Sequence, residues 1–322
     1  MTEWKDGIAK MTLPTPFPVG DVNVYLIKGE RLTLVDAGVK TDECWSSFTE
    51  QLAELDLSPQ DIEQVVLTHH HPDHVGMLDF FSDSLEVYGH PFNERWIHPT
   101  EEFFQLQEEF FKVSFREFGL PEEYFPFLSR LRSPFKYSCN RSLTGILVEG
   151  MNLNPIGLSD WEVIETPGHA QSQIALFREK DGILIAGDLI LAHISPNPLL
   201  EPPVPGETER PKPQLQHNDS MEKLLSYPIQ RVYTGHGEEV TKLAELIEKR
   251  RTRQHERAMT VYSWLKEEPL TVFEICKRLF PTVYQRELML TISESVAQLD
   301  YLSSIGEIIS STSRPVFYQA RV

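Results

Sequence analysis

Residues 68–76 read Thr-His-His-His-Pro-Asp-His-Val-Gly. Four potential metal ligands, His69, His71, Asp73 and His74, fall within six positions of this stretch. The run before it, residues 64–68, is apolar and short enough to be a buried strand. In extended backbone alternate side chains share a face, so His69 and His71 point together and His70 points away. Pro72 turns the chain, and Asp73 and His74 belong to the start of the next element. Two imidazoles beside an Asp-His pair give enough donors for two divalent ions, and ligand spacing of this kind sets the stretch apart from a polar loop that is merely rich in histidine.

Working outward, four more segments end in a chemically competent residue. They are Leu-Val-Asp36-Ala-Gly, Thr-Pro-Gly-His169-Ala, Ile-Ala-Gly-Asp188-Leu and Thr-Gly-His236-Gly. Together with the His-x-His-x-Asp-His run, in this order, they resemble the signature of the metallo-β-lactamase superfamily. That resemblance implies an αβ/βα four-layer sandwich; periodicity alone shows a mixed α and β chain. It also implies a ligand set. One metal takes His69, His71 and His169, a second takes Asp73, His74 and His236, and Asp188 bridges them. Asp73 is then the catalytic residue that orients the nucleophile and shuttles its proton. Asp36 sits behind the ligands and fixes the metal loop by hydrogen bonds, and His193, five residues past Asp188, is a candidate substrate contact.

Imidazole and carboxylate donors without thiolate suit zinc first, with manganese or iron as alternatives. Flavodiiron relatives carry glutamate where this chain has His71, and the true β-lactamases carry cysteine at the bridging position, so Asp188 points to the thioesterase, lactonase and nuclease branches. Two adjacent metals would ionise a shared water near neutral pH for attack on an electrophilic carbon or phosphorus.

Composition narrows the setting. The chain has 322 residues and a formal net charge of −18. Residues 241–322 hold 12 Lys and Arg against 10 Asp and Glu, so the first 240 residues carry all the excess acidity. An acidic catalytic region repels polyanions. The three cysteines, Cys44, Cys139 and Cys276, are scattered and odd in number, which fits a reducing compartment. The opening Met-Thr-Glu-Trp-Lys-Asp lacks the blocks of a signal peptide, and no apolar run reaches the roughly 20 residues of a membrane span. A cytoplasmic protein without a membrane partner is expected.

Pattern reading places strands at 22–28, 31–36, 64–68, 85–88, 161–166, 174–177, 183–186 and 231–234, with an amphipathic helix over about 40–56. The catalytic domain is expected over 1–240. Within it, residues 92–140 form a helical insertion, opened by Thr100 as N-cap and closed by Gly119 and Pro121. Its aromatic stripe includes Phe103, Phe104, Phe110, Phe111, Phe115 and Phe118 and is too wide for a helix packed on one side. These rings either fill a helical hairpin or line an apolar pocket above the metals.

Residues 241–322 read as helices over 242–266, 271–280 and 283–302 followed by a hairpin over 305–310 and 315–319. This resembles a winged-helix module, and the combination is similar to the β-lactamase-like protein 2 group. Leu189 departs from many members of that group, which have histidine directly after the bridging aspartate. The basic run Lys249, Arg250, Arg251 and Arg253, with Arg257, is a candidate phosphate contact, yet the module's +2 charge is low for DNA binding and favours a role in dimerisation or pocket shaping.

The expected function is therefore a binuclear hydrolase with a small-molecule substrate, a thioester, ester or lactone with an apolar chain, in a chain able to form a homodimer. The alternative is a phosphodiesterase or endoribonuclease acting on single-stranded RNA. A non-enzymatic signalling protein on a degenerate scaffold is disfavoured, because all seven ligand positions are filled.

Overall fold

The metal-ligand stretch leaves the middle of a seven-stranded sheet in the computed structural model, which describes residues 2–321. Its strands are β1 (Trp4–Lys5), β2 (Ile8–Leu13), β3 (Val22–Lys28), β4 (Leu32–Val35), β5 (Gln64–Val66), β6 (Glu86–Gly89) and β7 (Gly145–Ile146), in sequential order. The first four run antiparallel through short turns, and β4 to β7 pair in parallel. Parallel neighbours need crossovers. Helix α1 (Asp42–Ala53), capped by the Thr41 side chain, supplies the one between β4 and β5. A second sheet has the order β11-β10-β9-β8, from β8 (Trp161–Glu165), β9 (Ile174–Arg178), β10 (Ile183–Ile185) and β11 (Arg231–Tyr233).

Side-chain alternation sets the layers. In β3, Val22, Val24 and Leu26 face the core that holds Phe48 and Leu52 of α1. Tyr25 and Ile27 face the other way and meet Trp161, Val163, Ile174, Leu176, Ile183 and Ile185 of the second sheet. The far side of that sheet, Ile164, Ala175, Phe177 and Leu184, is covered by Met221, Leu224, Leu243 and Ile247. Helix, sheet, sheet, helix is the order of the four expected layers. Each fully buried large aliphatic side chain contributes on the order of 1.5–3 kcal/mol.

Between β5 and β6 lies the four-residue α2 (Pro72–Val75). Past β6 the insertion begins with α3 (Glu94–Ile97) and continues in α4 (Glu101–Glu117). Thr100 caps α4 as expected, its hydroxyl accepting from the Phe103 N–H at 3.2 Å. The stripe of α4 is wide because two neighbours use it. Phe111, Phe115 and Phe118 fill one core with the C-terminal helices and so do not line a pocket above the metals. The insertion turns inward at both ends: Trp96 packs against Phe103 and Phe135, and the Tyr137 carbonyl accepts from the Lys40 N–H at 3.0 Å.

Helix α5 (Pro213–Leu224) follows β10. The C-terminal region is α6 (Leu243–Glu267), α7 (Val272–Leu279), α8 (Leu288–Ser304) and a two-stranded antiparallel pair, β12 (Ile308–Ser310) with β13 (Tyr318–Ala320). A reciprocal Thr271–Glu274 capping box starts α7. Helix α8 is buried on nearly every side, and it starts at 288 rather than 283 because residues 281–286 form turns. Among the described residues no helix is long and apolar enough to cross a membrane.

Candidate metal centre

The ligands come from strand ends. His69 lies three residues beyond β5, and His71 is the extended N-cap of α2, with φ −65° and ψ 148°. Pro72 at the first helical position fixes the entry, since its missing N–H is not needed there. Asp73 and His74 then occupy the first turn and are buried. His169, Asp188 and His236 follow β8, β10 and β11.

Three groups of donor atoms each lie within 4.8 Å of one another: His69, His71 and His169; Asp73, His74 and His236; and His69, His74 and Asp188. Asp188 faces both halves. Its Oδ2 is 3.4 Å from His169 Nε2 and 3.5 Å from His236 Nε2, and its Oδ1 is 3.5 Å from His74 Nε2. Asp73 Oδ2 lies 3.3 Å from His236 Nε2. The seven residues singled out in the sequence therefore meet in one pocket.

Behind them, the outer ring nitrogens are held. His169 Nδ1 is 3.0 Å from the Asn197 carbonyl and His236 Nδ1 is 2.8 Å from the Asp21 carbonyl. A carbonyl only accepts, so Nδ1 carries a proton and Nε2 is the nitrogen turned inward, available to a metal once it carries none. Asp36 joins two elements. Its Oδ1 accepts from the Thr68 N–H at 2.7 Å, and its Oδ2 accepts from the Thr68 hydroxyl at 2.8 Å and lies 2.8 Å from His74 Nδ1. The Thr68 hydroxyl, having donated to Asp36, accepts from His69 Nδ1 at 3.0 Å. Asp36 adopts φ +62°, a left-handed backbone uncommon outside glycine and a local strain at the site.

Buried atoms without partners test whether metal fits. His69, His74, His169 and His236 each have Nε2 buried with no hydrogen bond, as does Asp188 Oδ1. Each such atom costs about 1–3 kcal/mol if left unsatisfied, and these five, unlike unpartnered atoms elsewhere such as Gln64 Oε1 and Ser138 Oγ, converge on one pocket. A divalent pair would satisfy them together. Gly235 is part of the same cradle: a Cβ there would lie 2.0 Å from Asp188 Oδ1.

Electrostatics divide the pocket. Burial lowers the pKa of His69 and His71 well below the ordinary histidine value and lowers that of His169 as well. Burial would also lower His74 and His236, but neighbouring carboxylates overcome it. Asp188, Asp36 and Asp73 raise His74 well above the usual value, and Asp188 with Asp73 raises His236 to about 10. Burial pushes Asp188 up, yet His236 and His74 bring it well below the carboxylate range.

The other candidates fall outside this pocket. His70 points away, its Nδ1 2.8 Å from the Ser172 hydroxyl and its ring stacked on Trp96 at 4.2 Å and 9°. His193 is exposed, with Nε2 3.6 Å from Glu238. The basic run is largely spent in the fold: Arg250 donates to the Leu191 carbonyl, Arg251 pairs with Glu222, and Arg257 pairs with Glu294. Sequence reasoning missed Thr68, Gly235 and the two carbonyls of Asp21 and Asn197. Thr68 alone had a usable signal, as a hydroxyl beside the first ligand.

The sequence profile of the metallo-beta-lactamase superfamily matches residues 17–236. A Bacillus subtilis protein called probable metallo-hydrolase YqjP is 46% identical over 305 residues, 95% of each chain. A beta-lactamase-like protein 2 homolog of Caenorhabditis elegans is 24% identical over 274 residues, 83% of this chain and 73% of that one. Among solved structures, a metallo-beta-lactamase family protein from Thermus thermophilus superposes with a TM-score of 0.81 at 26% identity, over 98% of this chain and 99% of its own. With seven donors converging behind those matches, the chain belongs to the metallo-β-lactamase superfamily, among its metal-dependent hydrolases.

Proposed function

We propose that the chain hydrolyses a thioester, ester or lactone of a small molecule with an apolar chain, using two divalent ions, zinc before manganese or iron. His69, His71 and His169 would hold one ion, Asp73, His74 and His236 the other, and Asp188 would bridge them. When bound, such a pair supplies an ionised water near neutral pH and a Lewis acid for the developing oxyanion. The protein's own part is positional and acid–base. Asp73, whose Oδ2 lies 3.3 Å from His236 Nε2, would orient the attacking water and accept its proton. Asp36 and Thr68 keep His69 and His74 in the tautomer that points Nε2 inward.

The observation that carries the ester reading over the RNA reading is the state of the basic run. Arg250 is engaged by a backbone carbonyl, and Arg251 and Arg257, though exposed, are paired with carboxylates of the same chain, which leaves Lys249 and Arg253 as the exposed cations of the run on α6 that make no ion pair among the described residues. Two cations beside an acidic catalytic region make a poor polynucleotide track. The three C-terminal helices and their strand pair are winged-helix-like in order, and we assign them to shaping the catalytic region. Cys44, Cys139 and Cys276 are free and buried, in keeping with a reducing, cytoplasmic setting.

The test is a substrate panel of acyl thioesters, lactones and single-stranded RNA, run on the zinc- and the manganese-loaded chain. Turnover of an acyl substrate that is unchanged in the Lys249→Ala/Arg253→Ala variant is expected. RNA cleavage that falls in that variant, without acyl turnover, would establish the nuclease instead.

A further inference from the structure

His169 hangs from a different part of the molecule than His74 and His236. His236 is tied to the first sheet, its Nδ1 on the Asp21 carbonyl and the Asn23 N–H on the Gly235 carbonyl at 2.7 Å. His74 is tied to the same sheet through Asp36 and through the Ala37 N–H, which donates to the His74 carbonyl at 2.6 Å. His169 sits instead in a turn, residues 167–172, whose supports lie on the C-terminal side of the molecule.

Helix α5 grips that turn at three points. The Ser220 hydroxyl donates to the Pro167 carbonyl at 2.8 Å. Gln216 and Gln171 exchange amide hydrogen bonds at 2.7 and 2.9 Å. Gly168, at φ +145°, lies so close to His217 that a Cβ would be 2.6 Å from its Cα. The segment 197–201 provides a second grip, with the Asn197 carbonyl on His169 Nδ1 and Glu201 accepting from the Gln171 N–H at 2.8 Å. Both grips lead to α8. Arg210, three residues before α5, makes a two-pronged ion pair with Asp300 at 2.8 and 2.7 Å. Asn197 Nδ2 donates to the Leu290 carbonyl, and the Leu200 N–H donates to the Ser293 hydroxyl.

We propose that α8 positions His169, so that the C-terminal helices set the metal affinity of the three-histidine half and leave the Asp73, His74 and His236 half untouched. This rests on the ligand assignment above. Arg210, Asp300, Ser293 and Gln216 are positioning residues; none reaches the donor atoms. A ligand tethered through such supports loses about 10–100-fold in metal affinity when a support is removed.

The experiment titrates zinc into the metal-free full-length chain against a chromophoric chelator. For Arg210→Met, one of two ions should bind about tenfold or more weakly and the other as in the native chain. The weakened ion should be the one that remains in a His236→Ala background, and the one that remains in a His169→Ala background should be unaffected. Two ions of native affinity in Arg210→Met, or an equal loss of both, would overturn the proposal. Should Arg210→Met lack the native circular dichroism, Gln216→Ala/Ser220→Ala carries the same expectation and the same refutation. Fewer than two ions in the native chain would refute the ligand assignment itself, a separate outcome.

Discussion

The His69, His71 and His169 half of the pocket and the Asp73, His74 and His236 half are built from similar donors, yet their surroundings push their imidazoles in opposite directions. Burial holds the first three imidazoles neutral. In the second, Asp188 and neighbouring carboxylates overcome burial and raise His74 and His236 toward the protonated form. The carboxylates therefore serve two purposes. They would charge-balance the histidines without metal and, on the proposed assignment, become ligands once the protons leave. Neutral imidazoles take a cation directly, whereas the mixed half must exchange protons for it. On this assignment, similar donors in one cavity would give two sites with different pH dependence.

The largest effect should come from removing what both halves share. Asp188→Ala takes away the carboxylate that faces His169, His74 and His236, so we expect turnover to fall roughly 1,000-fold or more and both ions to weaken. Metal analysis of the purified variant, beside its kcat, checks this. A variant that keeps one ion at native affinity would show the halves to be more independent than drawn here.

Asp36→Asn discriminates between the halves. Asp36 contacts His74 Nδ1 directly but reaches the three-histidine half only through Thr68 and His69. We expect about 10–100-fold loss of affinity at the mixed site, with a smaller change at the other, measured by chelator competition. Equal losses would mean that the Thr68 relay matters as much as the direct contact.

Smaller, and visible without any substrate, is a pH effect on the metal-free chain. A histidine whose folded pKa is raised stabilises the fold fully below its unfolded value of about 6.5, and that contribution is lost as pH rises through the folded value. For His236 the window runs from 6.5 to about 10. Thermal melting of the metal-free chain should therefore decline across that window, while the zinc-loaded chain, whose His236 is already deprotonated, should not follow it. Parallel curves would contradict the assigned protonation states.

Four of the seven donors were legible from local spacing, and His169, Asp188 and His236 through the resemblance their motifs carry. His69 to His74 are six consecutive positions, and Asp188 and His236 each follow a short apolar strand and a glycine. The supports of His169 and His236 were not legible, because a backbone carbonyl such as that of Asp21 or Asn197 carries no residue signature. Helix α5 went unread for a related reason. Its buried face includes Gln214, His217 and Ser220, so its inward residues are polar and the apolar period that marks a helix is missing. Strands β1 and β2 were also passed over, although Ile8, Met11 and Leu13 of β2 are fully covered. The breadth of the α4 stripe did signal packing on more than one side, but the partner, a core shared with α6, α7 and α8, lies some 150 residues away in sequence. Only the fold makes that pairing visible.

Calorimetric titration of the metal-free chain with zinc, repeated in buffers of different ionisation enthalpy, tests the central claim most directly, since it counts ions and protons together. Two ions per chain are predicted, one binding without appreciable proton release and the other expelling the protons of His74 and His236. A single ion, or two ions that release protons equally, would contradict the division of the pocket proposed here.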